Sequence, residues 1–281
     1  MPRVFFITGS STGIGASLVQ HVLDAGDHVF ATARNPSTLQ FTNANEKNFG
    51  AGRLDLEDPA SITSSLTAAI AKFGRVDVVI NNGGFGLSGP FEDLSETDIS
   101  RQMNVNFTGL LLCTKAAMKA MRQQEPKGGL IMQVTSIGGR IGFPWMSMYS
   151  ASKFAIEGFT EAVSQEVDPA WGINFTCIEP GGFRTDFFTR SMTYTNPDTT
   201  AYDMAKVKAD LESIHKAQLG IPAKGAKAIY EVSRMEQPPK KLILGSDAYN
   251  WLDGWLTELQ KDLHANKEIS LSTDADDTID K

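Results

Sequence analysis

The sequence predicts an α/β fold, a single doubly wound parallel sheet of about seven strands with helices on both faces. Three observations carry this. Short apolar runs alternate with stretches of helical spacing through the first 180 residues. The runs are almost continuously apolar rather than alternating, as strands buried on both faces are. The polar and glycine-rich motifs fall just after strands, on the edge where ligands bind in such sheets.

The elements follow in order. Residues 3–8 (RVFFIT) form a buried strand ended by Gly9. Residues 13–25 have helical spacing, with Ile14, Leu18, Val19, Val22 and Leu23 on one face and Gly26 placed to end the helix. Residues 28–32 and 50–54 are the next two strands. Asp58 is an N-cap with Pro59 at the first helical position, opening a helix to Phe73. Strands follow at 76–80, 130–135, 173–178 and 241–244, with helices over 95–122 and 148–167. Residues 183–220, which include Pro197, interrupt the alternation at the ligand edge and read as a substrate lid. One domain spans 1–263, and the polar, acidic tail 264–281 reads as disordered.

Composition narrows the function. The chain has 281 residues, 41% of them hydrophobic, enough for a large core. Its net charge is -7, from 26 Lys and Arg against 33 Asp and Glu. That argues against a nucleic-acid grip or an anionic membrane surface. No run approaches the ~18 apolar residues of a membrane span, and no targeting segment precedes the first strand. The expectation is a cytoplasmic protein. Cys113 and Cys177 read as small buried residues, without disulfide or zinc spacing. His21, His28, His215 and His264 show no metal spacing, so no metal is expected.

Residues 8–15 read TGSSTGIG between a strand and an apolar helix. Gly9 permits a tight turn out of the strand. Gly13 removes a side chain where a pyrophosphate would approach, and Gly15 lets the helix pack close. The helix start then offers N–H groups and a positive dipole end to phosphates. Ser11, Thr12, Gly13 and Ile14 are the candidates there. This loop predicts a dinucleotide site in a Rossmann-like sheet, although alone it also reads as an ordinary glycine turn. The second strand ends Thr32-Ala33-Arg34-Asn35, without the carboxylate that bonds a ribose 2′-OH. Arg34 can pair with a 2′-phosphate instead, which favours NADP(H) over NAD(H). The competing reading makes Arg34 a solvated loop residue. Asp55 is placed to accept a bond from the adenine amino group. Asn82 and Gly83, in NNGG after the fourth strand, leave room for the adenosine ribose or simply form a turn.

Tyr149 and Lys153 lie four apart on one helix face. A phenol of pKa near ~10 becomes a general acid/base when an ammonium stabilises its phenolate. Ser136, at the end of the fifth strand, suits a hydroxyl that polarises the same carbonyl. By itself Tyr and Lys at this spacing is a common accident. In their order and strand-end positions, TGxxxGxG, NNxG, Ser and YxxxK together resemble the short-chain dehydrogenase/reductase family, in its non-extended branch. The resemblance covers residues 3–247. YSASKFAIEGFTEAV (149–163) and PGGFRT (180–185) match further, and ILGSDA (243–248) is similar to the C-terminal strand and turn of reductases related to 17β-hydroxysteroid dehydrogenases.

The resemblance implies the following roles. Tyr149 is the acid/base. Lys153 lowers its pKa and holds the nicotinamide ribose, and Ser136 orients the carbonyl. Asn106, in NVNFTG, completes a proton relay through a water. Asn104 is a nearby decoy, and the spacing to Gly109 favours Asn106. Thr185 bonds the nicotinamide carboxamide, while Pro180 and Gly181 shape the loop under the ring. The family usually has Ala where this chain has Gly83, a change expected to enlarge or loosen the adenosine site. The implied reaction is hydride transfer between NADP(H) and a carbonyl or alcohol, in a homodimer or homotetramer. The loops at 85–94, 137–148 and 183–220 bring Phe91, Phe143, Trp145, Phe187 and Phe188 to a mostly apolar pocket for a bulky hydrophobic substrate. Part of that set instead packs the lid against the core on the competing reading. The alternative function is a non-catalytic dinucleotide sensor or scaffold on the same fold. An extended-branch epimerase would carry TGxxGxxG and a longer C-terminal domain.

Overall fold

The computed structural model describes residues 1–195 and 201–275, with the side chains of Met204, Lys208, Ile214, His215 and Lys216 outside that description. The lid expectation at 196–200, Pro197 included, and the end of the acidic tail at 276–281 lie outside the described residues.

Seven strands form one parallel sheet: β1 (Val4–Ile7), β2 (His28–Ala33), β3 (Phe49–Arg53), β4 (Val78–Asn81), β6 (Gly129–Val134), β7 (Ile173–Pro180) and β9 (Lys241–Leu244). Their order is β3-β2-β1-β4-β6-β7-β9, so it reverses between β1 and β4. This switch point opens a crevice beyond the strand ends. Side chains alternate between the faces. Phe5 and Ile7 join Leu18, Val22 and Ile229 in one core, under α1 (Gly13–Asp24) and α8 (Pro222–Ser233). Val4 and Phe6 join Ile62, Ala117 and Val163 in the other, under α2 (Pro59–Phe73), α4 (Gly109–Gln123) and α5 (Ser147–Glu166). Asp58 caps α2 as its sequence predicts, its Oδ1 accepting from the N–H groups of Ala60 and Ser61 at 3.1 and 3.2 Å.

Three features depart from the sequence reading. The helix expected over 95–122 is α3 (Glu96–Met103) and α4, joined by a π-helical turn at Asn104–Thr108. A second, two-stranded parallel sheet pairs β5 (Gly86–Ser88) with β8 (Met192–Tyr194), pinning the lid to the loop after β4. The lid also holds α6 (Phe187–Arg190) and α7 (Met204–Lys216). The tail expected to be disordered from 264 is helical further on. Helix α9 (Ser246–Ala265) runs past it and α10 (Lys267–Leu271) follows, both solvated at that end. Exposed Leu and Ile between the charges give this stretch helical periodicity that its acidity masks. Among the described residues no helix is long and apolar enough to cross a membrane, and no cluster of His, Cys, Asp and Glu is placed to hold a metal. Cys113 and Cys177 are free and buried.

Candidate active site

The glycine loop sits over the switch point and is welded to the NNGG turn. Asn82 Nδ2 donates to the carbonyls of Thr8 and Gly9 at 3.1 and 3.0 Å. Thr8 Oγ1 accepts from the N–H groups of Asn82 and Gly83, both at 3.0 Å. Gly15 is required by close approach, since a Cβ there would lie 2.3 Å from the Gly9 carbonyl. Gly13 has φ +60 and faces the Thr185 side chain, so it meets both a backbone and a space demand. Gly83 corrects one expectation. The methyl it lacks frees little space, because a Cβ would stand 3.0 Å from Leu56 Cδ1, the tip of a side chain that would have to shift by a few tenths of an ångström. Leucine at 56 has taken that volume.

The four predicted catalytic side chains come together from α5, the π-turn and the β6 end. Tyr149 and Lys153 are buried on the inner face of α5. Lys153 Nζ donates to the Val134 carbonyl at 2.9 Å and lies 5.7 Å from the centre of the Tyr149 ring. Ser136, just past β6, hydrogen-bonds the Tyr149 phenol and accepts from the Gly138 N–H at 2.9 Å. Asn106 is in the π-turn, a geometry that recurs at functional sites. Its side chain is fully engaged. Oδ1 accepts from the Phe85 N–H at 3.0 Å, and Nδ2 donates to the Phe85 carbonyl at 2.9 Å and to Ser152 Oγ at 3.1 Å. It therefore fixes the loop between NNGG and β5, beside Lys153.

The charges differ from the sequence picture. Burial pushes the Tyr149 phenol up to about 12, against the Ser136 hydrogen bond, which favours the phenolate. Burial also pulls Lys153 down to about 8, opposed by the charge of Glu157. The lysine thus fails to make the phenol acidic in the protein alone. Both groups are held in their neutral directions by desolvation.

These residues line a cleft of about 1120 Å³. Thr8, Gly9, Ser11, Thr12, Gly13, Ile14, Arg34, Asp55, Asn82 and Gly83 line its glycine-loop half. Ser136, Tyr149, Lys153, Pro180, Gly181 and Thr185 line the other half. Gly15 and Asn106 stand just behind this wall. Arg34 is exposed, in a loop (34–38) that carries no carboxylate. Phe143, Phe187 and Phe188 line the substrate end, with Phe187 packed 5.6 Å from the Tyr149 ring. Phe91 and Trp145 do not. Phe91 is 60% exposed, at the start of a 3-10 turn facing solvent. Trp145 has φ +64, which swings its ring onto Tyr202 of the lid.

The short chain dehydrogenase family matches residues 3–195. The chain belongs to this family of oxidoreductases. An uncharacterised oxidoreductase of Schizosaccharomyces pombe is 36% identical over 271 residues, covering 96% of this chain and 91% of the relative. A 3-ketodihydrosphingosine reductase of Bacteroides thetaiotaomicron is 38% identical over 189 residues, 66% of each chain. The crystal structure of a short-chain dehydrogenase from Streptomyces avermitilis superposes with a TM-score of 0.87 at 32% identity, covering 98% of this chain and all of that one. The NADP-bound structure of ElxO superposes at 0.68 with 25% identity, covering 87% and 96%.

Two residues of this short-chain dehydrogenase escaped the sequence reading. Asp247, at the start of α9, accepts from the Gly182 N–H through Oδ2 at 2.6 Å and packs against Gly181. It locks the Pro180–Gly182 loop, and its Oδ1 is buried without a hydrogen-bond partner. Trp251, one turn further on α9, lines the cleft and meets Phe143 edge-on at 5.6 Å. Asp247 lies within ILGSDA (243–248), and a carboxylate in the first turn of a helix is the signal that marks it. Trp251 offered none, since its helix lies far along the chain from the strand ends it covers.

Proposed function

We propose that this dehydrogenase interconverts a bulky hydrophobic ketone or aldehyde and its alcohol, using NADP(H) in preference to NAD(H). The observation that carries the reading is the buried Tyr149 phenol, bonded to Ser136 and beside Lys153, in the same cleft as the glycine loop. The residues present fit a dinucleotide. The helix start at Gly13 faces the cleft, side chains are missing at Gly9 and Gly13, and Asn82 holds the loop around that space. Arg34, exposed just past β2 and lining the cleft in a loop without a carboxylate, supports pairing with a 2′-phosphate.

Bound there, the nicotinamide supplies or accepts the hydride. Ser136 donates to the substrate oxygen, holding it beside the phenol. Tyr149 gives its proton to that oxygen in reduction and takes it back in oxidation. Lys153, cationic, stabilises the phenolate left behind. Asn106 keeps the Phe85 loop in place beside that lysine. Phe143, Phe187, Phe188 and Trp251 exclude water and bury an apolar substrate body. The relative named for a ketone supports this substrate class, and ElxO supports NADP. The working form is a cytoplasmic homodimer or homotetramer.

A panel of apolar carbonyls and alcohols, assayed with NADPH and NADH, tests this. The Tyr149→Phe variant should bind NADPH as the parent does and lose turnover by at least roughly a hundredfold. Turnover within a few-fold of the parent would remove the acid/base assignment.

A further inference from the structure

One turn along α5 from Lys153 stands Glu157, 5% exposed, and the end of β7 places Glu179, fully buried, against it. Neither belongs to the cleft wall. Glu157 Oε1 accepts from Thr135 Oγ1 at 2.6 Å. Its other oxygen lies 3.6 Å from Lys241 Nζ and 3.9 Å from the Arg140 guanidinium, beyond hydrogen-bond reach. Neither Glu179 oxygen meets an N–H or O–H donor among the described residues. The Glu157 carboxyl stands beside it, since Thr135 Oγ1 reaches both Glu157 Oε1, at 2.6 Å, and the carbonyl of Ile178, the residue before Glu179, at 3.0 Å. Two ionised carboxylates in such contact, away from water, repel strongly. One proton between them removes the repulsion and supplies the missing donor.

We infer that Glu157 and Glu179 are positioning residues for Lys153, a buried carboxyl pair that holds one proton and presents its remaining negative charge to the lysine. The groups facing the pair come from every neighbouring element. They are Lys153 and, through Lys241, Glu161 on α5; Thr135 after β6; Arg140 beyond it; Cys177 on β7; and Lys241 on β9. Burial pushes the Cys177 thiol up, so it adds no charge. Arg140 and Lys241 are the cations that keep one negative charge on the pair tolerable. Burial, then the charge of Glu157, push Glu179 up to about 7. The pair therefore gains its second charge near neutrality, and that charge holds the proton on Lys153 as the pH rises further. The effect extends the range over which the lysine is cationic.

The inference rests on Tyr149 and Lys153 acting as the acid/base pair, so its test has an arm that needs no turnover. Infrared difference spectra of the intact protein, between about pH 6 and 8, should show loss of a buried protonated carboxyl band on raising the pH. The band should be absent from Glu179→Gln. In pH profiles of kcat/KM, Glu157→Gln should move the alkaline limb down by roughly one unit, and Glu179→Gln should move it the same way. Should Glu179→Gln fail to fold, Glu179→Met removes the same proton with an apolar side chain of similar size. A wild-type spectrum without the band overturns the shared proton. A band with unmoved limbs in both variants overturns the coupling to Lys153. Turnover retained by Tyr149→Phe would instead take down the acid/base reading, while the infrared band stood.

Discussion

Lys153 is pulled two ways, by burial toward the neutral amine and by Glu157 toward the cation, and burial is the larger. The pH dependence of reduction follows from this. With the phenol raised to about 12, Tyr149 carries its proton throughout the working range. The cation that stabilises the departing phenolate is the variable, and it is lost as pH rises through about 8. For reduction, kcat/KM should be level below that value and fall above it, approaching roughly tenfold per unit. Lys153→Met should lower the rate and erase the limb, and a flat profile from about pH 7 to 9 would contradict the assignment. Arg34 offers a second, separable prediction. Arg34→Ala should raise KM for NADPH by roughly tenfold or more and leave NADH within a few-fold. Equal losses with both would assign Arg34 to the adenine or to the loop.

The elements that position these residues were unevenly visible in the chain. Buried parallel strands announce themselves as short apolar runs, which makes the five inner strands legible, whereas the edge strands β3 (FGAGR) and β9 (KLIL) are only partly buried and give a weaker signal. The glycine loop, Ser136 and the Tyr149–Lys153 pair were legible because each stands at a strand end or one turn apart on a helix. The π-turn at Asn104–Thr108 was not, since NVNFT continues the helical pattern and only the clamp from Asn106 to Phe85 shows what the extra residue achieves. The β5–β8 pairing was hidden because three-residue strands are made by tertiary contact rather than by local preference. The loops at 85–94 and 137–148 read as reaching the pocket, but which of their apolar side chains enter it is a property of the folded loop: Phe143 lines the cleft, while Phe91 is exposed and Trp145 packs on Tyr202. Asp247 is the element-scale prediction. It ties the start of α9 to the loop after β7, and Asp247→Asn keeps its shape but gives up a charge-assisted bond worth about 1.5–3 kcal/mol. Dinucleotide affinity should fall several-fold with a smaller change in kcat, measured by fluorescence titration beside a melting curve. A lower melting temperature with unchanged affinity would make Asp247 purely structural.

At the scale of the whole molecule, α5 has two working faces. Its inner face carries Tyr149, Lys153 and Glu157. Its outer face presents exposed Phe154 among Ala151, Gly158 and Ala162, beside the edge-on pair Phe107 and Phe159. Small and apolar side chains in one strip suit close approach of a second helix, and a two-fold axis there would match the strip with itself. The prediction is a homodimer closed through this face, with a mass about twice 30.5 kDa by light scattering. Phe154→Glu should yield monomers at micromolar concentration, because an unpaired carboxylate would be buried against its own copy. Since the same helix positions the acid/base pair, turnover per chain should fall with the dimer, and it should fall on dilution of the parent protein too. A dimer that survives Phe154→Glu would point to the other exposed apolar strip, Leu256, Leu259 and Leu263 on α9. Assembly there would buttress Trp251 and the substrate wall rather than Tyr149. Loss of the dimer would then weaken substrate binding, seen in KM, and leave the pH limb set by Lys153 where it was.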